Sequence, residues 1–204
     1  MLIDDKDIEI LDLNFRNLKE IPIEVFSLVN LKKLLLYGNK LENIPEEIKH
    51  LKNLRCLDLR QNELIDLPKQ IGELKNLKSL YLSSNKIKDL PQSMINLTNL
   101  KSLFLSKNSM KEIPKSILFI KSLERIILRE NDIVLLPKNI ELLVNLKNLD
   151  LRKNQIKFLP NQIKNLKNLK NLDLRDNQLN KFPFEINHLL NLKRLAISGN
   201  KFKE

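Results

Sequence analysis

The chain has 204 residues, with 36 lysines and arginines against 25 aspartates and glutamates, for a formal charge of +11. That balance points to an acidic partner or to solubility and carries no information on fold. A single cysteine, Cys56, excludes an internal disulfide framework, and no apolar run approaches the roughly 20 residues of a membrane-spanning helix.

The N-terminal stretch MLIDDKDIEI is acidic and lacks the basic-then-apolar layout of a signal peptide. Residues 1–7 read as a cap segment, with Leu2 and Ile3 expected to cover the open side of the first coil. From residue 8 the chain repeats every 23 residues, in units 8–30, 31–53, 54–76, 77–99, 100–122, 123–145, 146–168 and 169–191. A ninth unit, 192–204, is shorter. All eight prolines, from Pro22 to Pro183, fall in one phase of this period. Such a repeat takes precedence over any local reading. No linker or low-complexity tract interrupts it, so 8–204 reads as one elongated domain in which each unit buries its apolar edge against its neighbours.

The stretch LKKLLLYGNKLENIPEEIKHLKN, residues 31–53, shows the layout of a unit. Positions 1, 4, 6 and 11 are apolar in all nine units, and positions 14, 18 and 21 in the eight complete ones. The spacing of two between positions 4 and 6 is that of a strand, and the spacing of three to four across 14, 18 and 21 is that of a helical turn. Proline at 15 is expected within the first helical turn, where its missing N–H has no partner to lose. Each unit thus reads as strand, turn, short helical segment, turn. Stacking the units gives a parallel sheet with strands about 4.8 Å apart. Because helical segments are wider than strands, the sheet should line the inside of the bend.

Position 9 is asparagine in eight units: Asn39, Asn62, Asn85, Asn108, Asn131, Asn154, Asn177 and Asn200. A buried amide offers two donors and an acceptor to backbone groups that a turning coil leaves unpaired. The expectation is a structural ladder linking each asparagine to its own turn and the next. In the first unit Arg16 holds the slot and Asn17 follows one residue late, as at an end coil.

These leucine positions, the asparagine and the Ile-Pro pair resemble the leucine-rich repeat family, over 8–204, and within it the 23-residue class found in bacterial proteins and in Ras-pathway scaffolds. The richness in lysine, asparagine and isoleucine is similar to repeat proteins of spirochaetes. The resemblance implies an α/β right-handed horseshoe with a concave parallel sheet and convex helical segments. It also implies binding of protein partners on the concave face, with no catalytic residues and no cofactor. Departures are the absence of cysteine-rich caps and of a capping unit at the C-terminus. A secreted or cell-envelope location follows by likeness, with the cytoplasm as the alternative.

Function then falls on the outward-facing positions of the strand. Position 5 carries Leu35, Tyr81, Phe104 and Ile127, with aspartates at Asp12, Asp58, Asp150 and Asp173. Position 7 carries Tyr37, Arg60, Arg129, Arg152 and Arg175, with Ser83 and Ser106 between. Tyr81, Phe104 and Ile127 form an apolar strip across three strands, with an arginine ladder beside it, the composition of an interaction hot spot. The plainer alternative is that strands favour such residues and that Asp and Arg simply pair sideways.

Positions 2 and 22 gather a basic rim, Lys32, Lys52, Arg55, Lys75, Lys78, Lys101, Lys121, Lys147, Lys167, Lys170 and Lys193, opposed there by Glu9 and Glu124. Such a rim suits phospholipid, glycosaminoglycan or acidic protein, or simply keeps the chain soluble. Nucleic acid fits poorly, because no aromatics are interleaved for base stacking. His50 and His188 occupy one position six units apart and cannot share a site. With only Gly38, Gly72 and Gly199, no glycine-rich phosphate loop exists. Arg55 and Arg60 near Cys56 would act to lower its pKa, but no histidine can serve it as a base, so it reads as a lone surface thiol. No metal cluster is legible. The chain reads as a non-catalytic binding module, with adhesion or assembly through the rim or the solenoid ends, or a place as the repeat half of a larger bacterial effector, as the alternatives. It reads mostly as a monomer, with a tail-to-tail dimer possible.

Overall fold

Alternation at positions 3 to 6 drives each unit into a short strand, since the leucines at 4 and 6 must face one side while 3 and 5 face the other. The computed structural model describes residues 7–202, so Leu2 and Ile3 of the expected cap lie outside it. Nine strands result: β1 Ile10–Asp12, β2 Lys33–Leu35, β3 Cys56–Asp58, β4 Ser79–Tyr81, β5 Ser102–Phe104, β6 Arg125–Ile127, β7 Asn148–Asp150, β8 Asn171–Asp173 and β9 Arg194–Ala196. They form one open parallel sheet in sequential order. Neighbouring strands pair in a register of one full repeat, as in Leu57 with Leu80 and Leu103 with Ile126. The fold is the stacked solenoid that the period implies and the leucine-rich repeat architecture that the resemblance implies.

Pairing continues beyond each three-residue strand. The position 6 amide donates to the position 5 carbonyl of the following coil, as Leu59 does to Tyr81 at 2.9 Å. The amide at position 8 donates to the following position 7 carbonyl, as Gln61 does to Ser83 at 3.0 Å. The chain then turns inward through a left-handed residue. In all nine coils position 8 has positive φ, from 50° at Gln61 to 71° at Gly199. Two of the three glycines in the chain, Gly38 and Gly199, occupy this position, where they avoid the Cβ penalty.

Each helical segment is a five-residue 3-10 turn, such as Glu46–His50 or Lys69–Glu73. The proline stands one residue earlier than the sequence suggests. It is the N-cap, with extended ψ at Pro45 (160°) and Pro68 (148°), and its carbonyl accepts from the amide three residues on. A fixed φ and a missing donor suit a cap residue as well as a first-turn residue, so the proline alone could not decide between them.

The interior is a continuous column of leucine and isoleucine. In the third coil Leu54, Leu57, Leu59, Leu64, Ile71 and Leu74 are wholly inaccessible, and Leu67 nearly so. Full burial stabilises by about 1.5–3 kcal/mol per side chain, so the seven positions of each coil dominate the fold's energetics. In the ninth coil Leu195 and Ile197 are only partly buried, and Phe202 is exposed.

The asparagines bond backward along the stack. Asn62 Nδ2 donates to the carbonyls of Leu59 in its own coil (3.1 Å) and Leu36 in the preceding one (2.9 Å), and its Oδ1 accepts from the Leu41 amide at 3.0 Å. The same trio recurs at Asn85, Asn131, Asn154 and Asn177. The bonds therefore reach the preceding coil, not the next one. Two consequences follow. Arg16 has no preceding coil among the described residues to bond, and its amide instead donates to Asn39 Oδ1 at 3.0 Å. Asn200 makes the complete set, to Leu179, Leu174 and Ile197, as a central asparagine does.

A second ladder was not singled out from the sequence. Position 23 is asparagine in seven of eight full units and serine at Ser122. Asn53, Asn76, Asn99, Asn145, Asn168 and Asn191 each donate to the position 22 carbonyl of the preceding coil at 2.8–3.0 Å. The 23-residue recurrence was the available signal, but these side chains are exposed and carry no pattern of burial.

Candidate functional site

The outward positions of the sheet converge on one band. Tyr81 of β4 and Phe104 of β5 are paired in register, and their rings stack with centroids 4.5 Å apart and planes 8° from parallel. Ile127 extends the row in β6. All three are half-buried, and the two rings cover each other's facing sides. Small residues beside them leave the outer faces open: Ser106 is buried and receives no ring, and its amide donates to Ser83 Oγ at 3.2 Å.

Arg60 joins this strip to Tyr37. Its guanidinium lies 5.0 Å from the Tyr81 ring centroid and 5.2 Å from that of Tyr37, within cation–π range of both. Asp58, two residues earlier and 5% exposed, holds it through Nε–Oδ1 at 2.9 Å and through Nη2–Oδ2. Phe15, the left-handed residue of the first coil, packs edge-on against Tyr37 at 4.8 Å. A band thus runs Phe15, Tyr37, Arg60, Tyr81, Phe104, Ile127 across six coils. Leu35 lies half-buried in register with Asp58, at the edge of the band. Phe15 was missed from the sequence because position 8 carries no outward strand phase.

The arginines divide into two kinds. Arg175 repeats the Arg60 arrangement, with Nε 3.0 Å from Asp173 Oδ1 and Nη2 2.5 Å from Oδ2. These pairs form within a coil. Arg129 and Arg152 have no ion pair among the described residues. Arg152 Nε is buried without a hydrogen-bond partner. Only the Arg152 backbone amide reaches Asp150, at 3.1 Å.

The two neighbouring aspartates accordingly differ. Burial pushes the Asp150 carboxyl above its ordinary value, with the charge of Asp173 adding to this against a backbone bond from Arg152. At Asp173 burial acts the same way, but the side-chain and backbone hydrogen bonds and the charge of Arg175 outweigh it and hold the carboxyl low. The sign follows from linkage. A carboxyl raised in the folded state destabilises that state once it ionises, whereas a lowered one stabilises above its unfolded value. Asp150→Asn is therefore expected to melt higher than wild type at pH 7. The gain should shrink as pH falls through the raised pKa of the folded state and be gone below the ordinary aspartate pKa of about 3.9. Thermal melts at pH 7 and pH 3 check this, and a lower melting temperature for the variant at pH 7 would contradict it.

Cys56 is free and half-buried, not fully at the surface, and the arginines beside it do not set its pKa. Burial is the largest influence on the thiol and Asp58 adds to it, so its pKa is raised, against smaller opposing effects of Lys33 and Arg60. The rim is also less bare than its composition suggests. Glu9 pairs with Lys32, Glu124 with both Lys101 (3.2 Å) and Lys147 (2.7 Å), and Glu73 from a helical segment with Lys52 (2.7 Å). Among the described residues, the other seven rim cations have no ion pair. No group of three or more metal-ligating side chains occurs among the described residues, and no described helix is long and apolar enough to cross a membrane.

Family comparisons agree with this geometry. The description "Leucine-rich repeat region" matches residues 45–134, "Leucine rich repeat" matches 6–64, and "Leucine Rich repeats (2 copies)" matches 144–185. The chain belongs to the leucine-rich repeat family. A leucine-rich repeat protein of Leptospira interrogans is 39% identical with a TM-score of 0.87, over 98% of this chain and 57% of that one. This leucine-rich repeat chain therefore spans little more than half of that relative. Internalin C2 of Listeria monocytogenes is 25% identical with a TM-score of 0.83, over 94% of this chain and 81% of its own. The ectodomain of the Arabidopsis thaliana membrane receptor kinase GASSHO1/SCHENGEN3, in complex with CASPARIAN STRIP INTEGRITY FACTOR 2, is 32% identical with a TM-score of 0.74. The match covers 96% of this chain and 24% of that ectodomain. Among curated proteins none matches. Leucine-rich repeat proteins are generally binding scaffolds.

Proposed function

We propose that this leucine-rich repeat chain is a non-catalytic recognition module that binds a protein partner on its concave sheet, through the band from Tyr37 to Arg129. The observation that carries the reading is the Tyr81–Phe104 stack, continued by Arg60 on one side and Ile127 on the other, with serines leaving it open. Rigid aromatics and arginine at the centre of a patch supply most of the energy of protein interfaces. A similar ectodomain solved with a bound factor supports the assignment of partner class.

Peptides selected from a random display library on the wild-type protein test this. The Tyr81→Ala/Phe104→Ala double variant should bind the selected clones at least about tenfold more weakly, as expected for hot-spot residues. Losing the ring stack costs about 0.5–1.5 kcal/mol beyond area, so melting should fall by a few degrees while the circular dichroism spectrum is retained. Undiminished binding would overturn the assignment.

A second reading rests on the seven rim cations without ion pairs: adhesion or assembly through the basic rim. Binding through exposed charges falls steeply with ionic strength, whereas binding through the aromatic band does not. The length shared with the Leptospira protein also allows this chain to be the repeat portion of a longer protein. Export to the cell envelope accords with the two bacterial relatives.

A further inference from the structure

Resting on the concave-face reading, we infer that the partner segment is acidic and places carboxylates beside an apolar residue. Coil six is the reason. Its three outward side chains are Arg125, Ile127 and Arg129, so the apolar strip ends on an isoleucine flanked by two arginines. Neither arginine has an ion pair among the described residues, and Arg152, one coil on, keeps a buried Nε without a partner. On either side the same column is closed: Asp58 neutralises Arg60 and Asp173 neutralises Arg175. The difference traces to position 5, where coil six has Ile127 instead of aspartate and Asp150 reaches only the Arg152 backbone.

The buried Arg152 Nε retains an unmet hydrogen-bonding requirement, while the exposed Arg129 offers a guanidinium without an acidic partner among the described residues. An incoming carboxylate can bind such a guanidinium in bidentate form. The strip supplies the adjacent apolar contact. Coil steps of about 4.8 Å and extended-chain steps of about 3.3 Å place an apolar residue on Phe104 and Ile127 and an acid on Arg129 within one or two residues of each other. The charge on this part of the face repels basic segments and so selects among partners as well as binding them.

The same display selection reads this out, now with sequencing of the bound clones. Wild type should enrich peptides with aspartate or glutamate within two residues of an aliphatic or aromatic residue. Converting those acids to their amides should weaken binding about tenfold or more, the equivalent of one charge-assisted bond. Selection on Arg129→Gln/Arg152→Gln should lose the acidic enrichment, while Lys167→Gln/Lys170→Gln on the rim should keep it. No acidic enrichment on wild type, or equal enrichment on Arg129→Gln/Arg152→Gln, overturns this inference and leaves the concave site standing. Acidic clones that bind Tyr81→Ala/Phe104→Ala normally but fail on the rim variant overturn both.

Discussion

Asn131→Ala is expected to lower the unfolding free energy by about 2–6 kcal/mol, more than any exposed polar substitution in the chain. Asn131 Oδ1 accepts from the Met110 amide at 3.1 Å, and Nδ2 donates to the Leu105 and Leu128 carbonyls at 2.9 and 3.0 Å. The two carbonyls each retain a second asparagine, Asn108 and Asn154 respectively. The Met110 amide retains nothing comparable, in a residue that is wholly inaccessible. One orphaned buried donor costs about 1–3 kcal/mol and each lost bond about 0.5–1.5 kcal/mol, which gives the range. Asn145→Ala is the contrast, because its single bond to the Lys121 carbonyl is exposed and water can replace it. Urea denaturation of both variants checks the claim. Equal losses would contradict the ladder account.

Gly72→Ala is expected to destabilise by about 1–3 kcal/mol, although it adds one methyl group. Gly72 is buried in the segment Lys69–Glu73, which packs on Gln92–Asn96 of the next coil. A Cβ there would fall 2.7 Å from Ser93 Cβ and closer still to the Ser93 carbonyl oxygen. Backbone on the far side cannot rotate away, so coils three and four must separate. That separation strains the shared column of leucines. At about 2–4 °C per kcal/mol for a chain of this size, melting should fall visibly. A variant as stable as wild type would show that the coils yield freely.

The sheet was legible because the leucines at positions 4 and 6, such as Leu57 and Leu59, alternate in a period that does not drift. One repeat of register then follows for every strand. The helical segments were legible to within a residue. Proline restricts φ alike at the cap and in the first turn, so the phase slipped at Pro45 and its equivalents. The columns of outward residues were legible too, but not the contacts between them. Arg60 sits in the position 7 column yet reaches Tyr81 in the position 5 column, because an arginine side chain is longer than one coil step. That Cys56 is half-buried was not legible, because neighbouring arginines are visible in a sequence and burial is not. Phe15 was missed because its outward direction comes from a left-handed backbone.

The central claim is that recognition occurs on the concave band, and the most direct measurement is a nuclear magnetic resonance footprint. Uniformly nitrogen-labelled protein is titrated with a display-selected peptide, following backbone amides and arginine Nε–H signals. Shifts are expected at Tyr37, Arg60, Tyr81, Phe104, Ile127 and Arg129 and at the Arg152 Nε–H, with none in the convex segments Gln92–Asn96 and Lys138–Leu142. Shifts confined to the lysine rim or to those convex segments, with the Tyr81 and Phe104 amides unmoved, would contradict it.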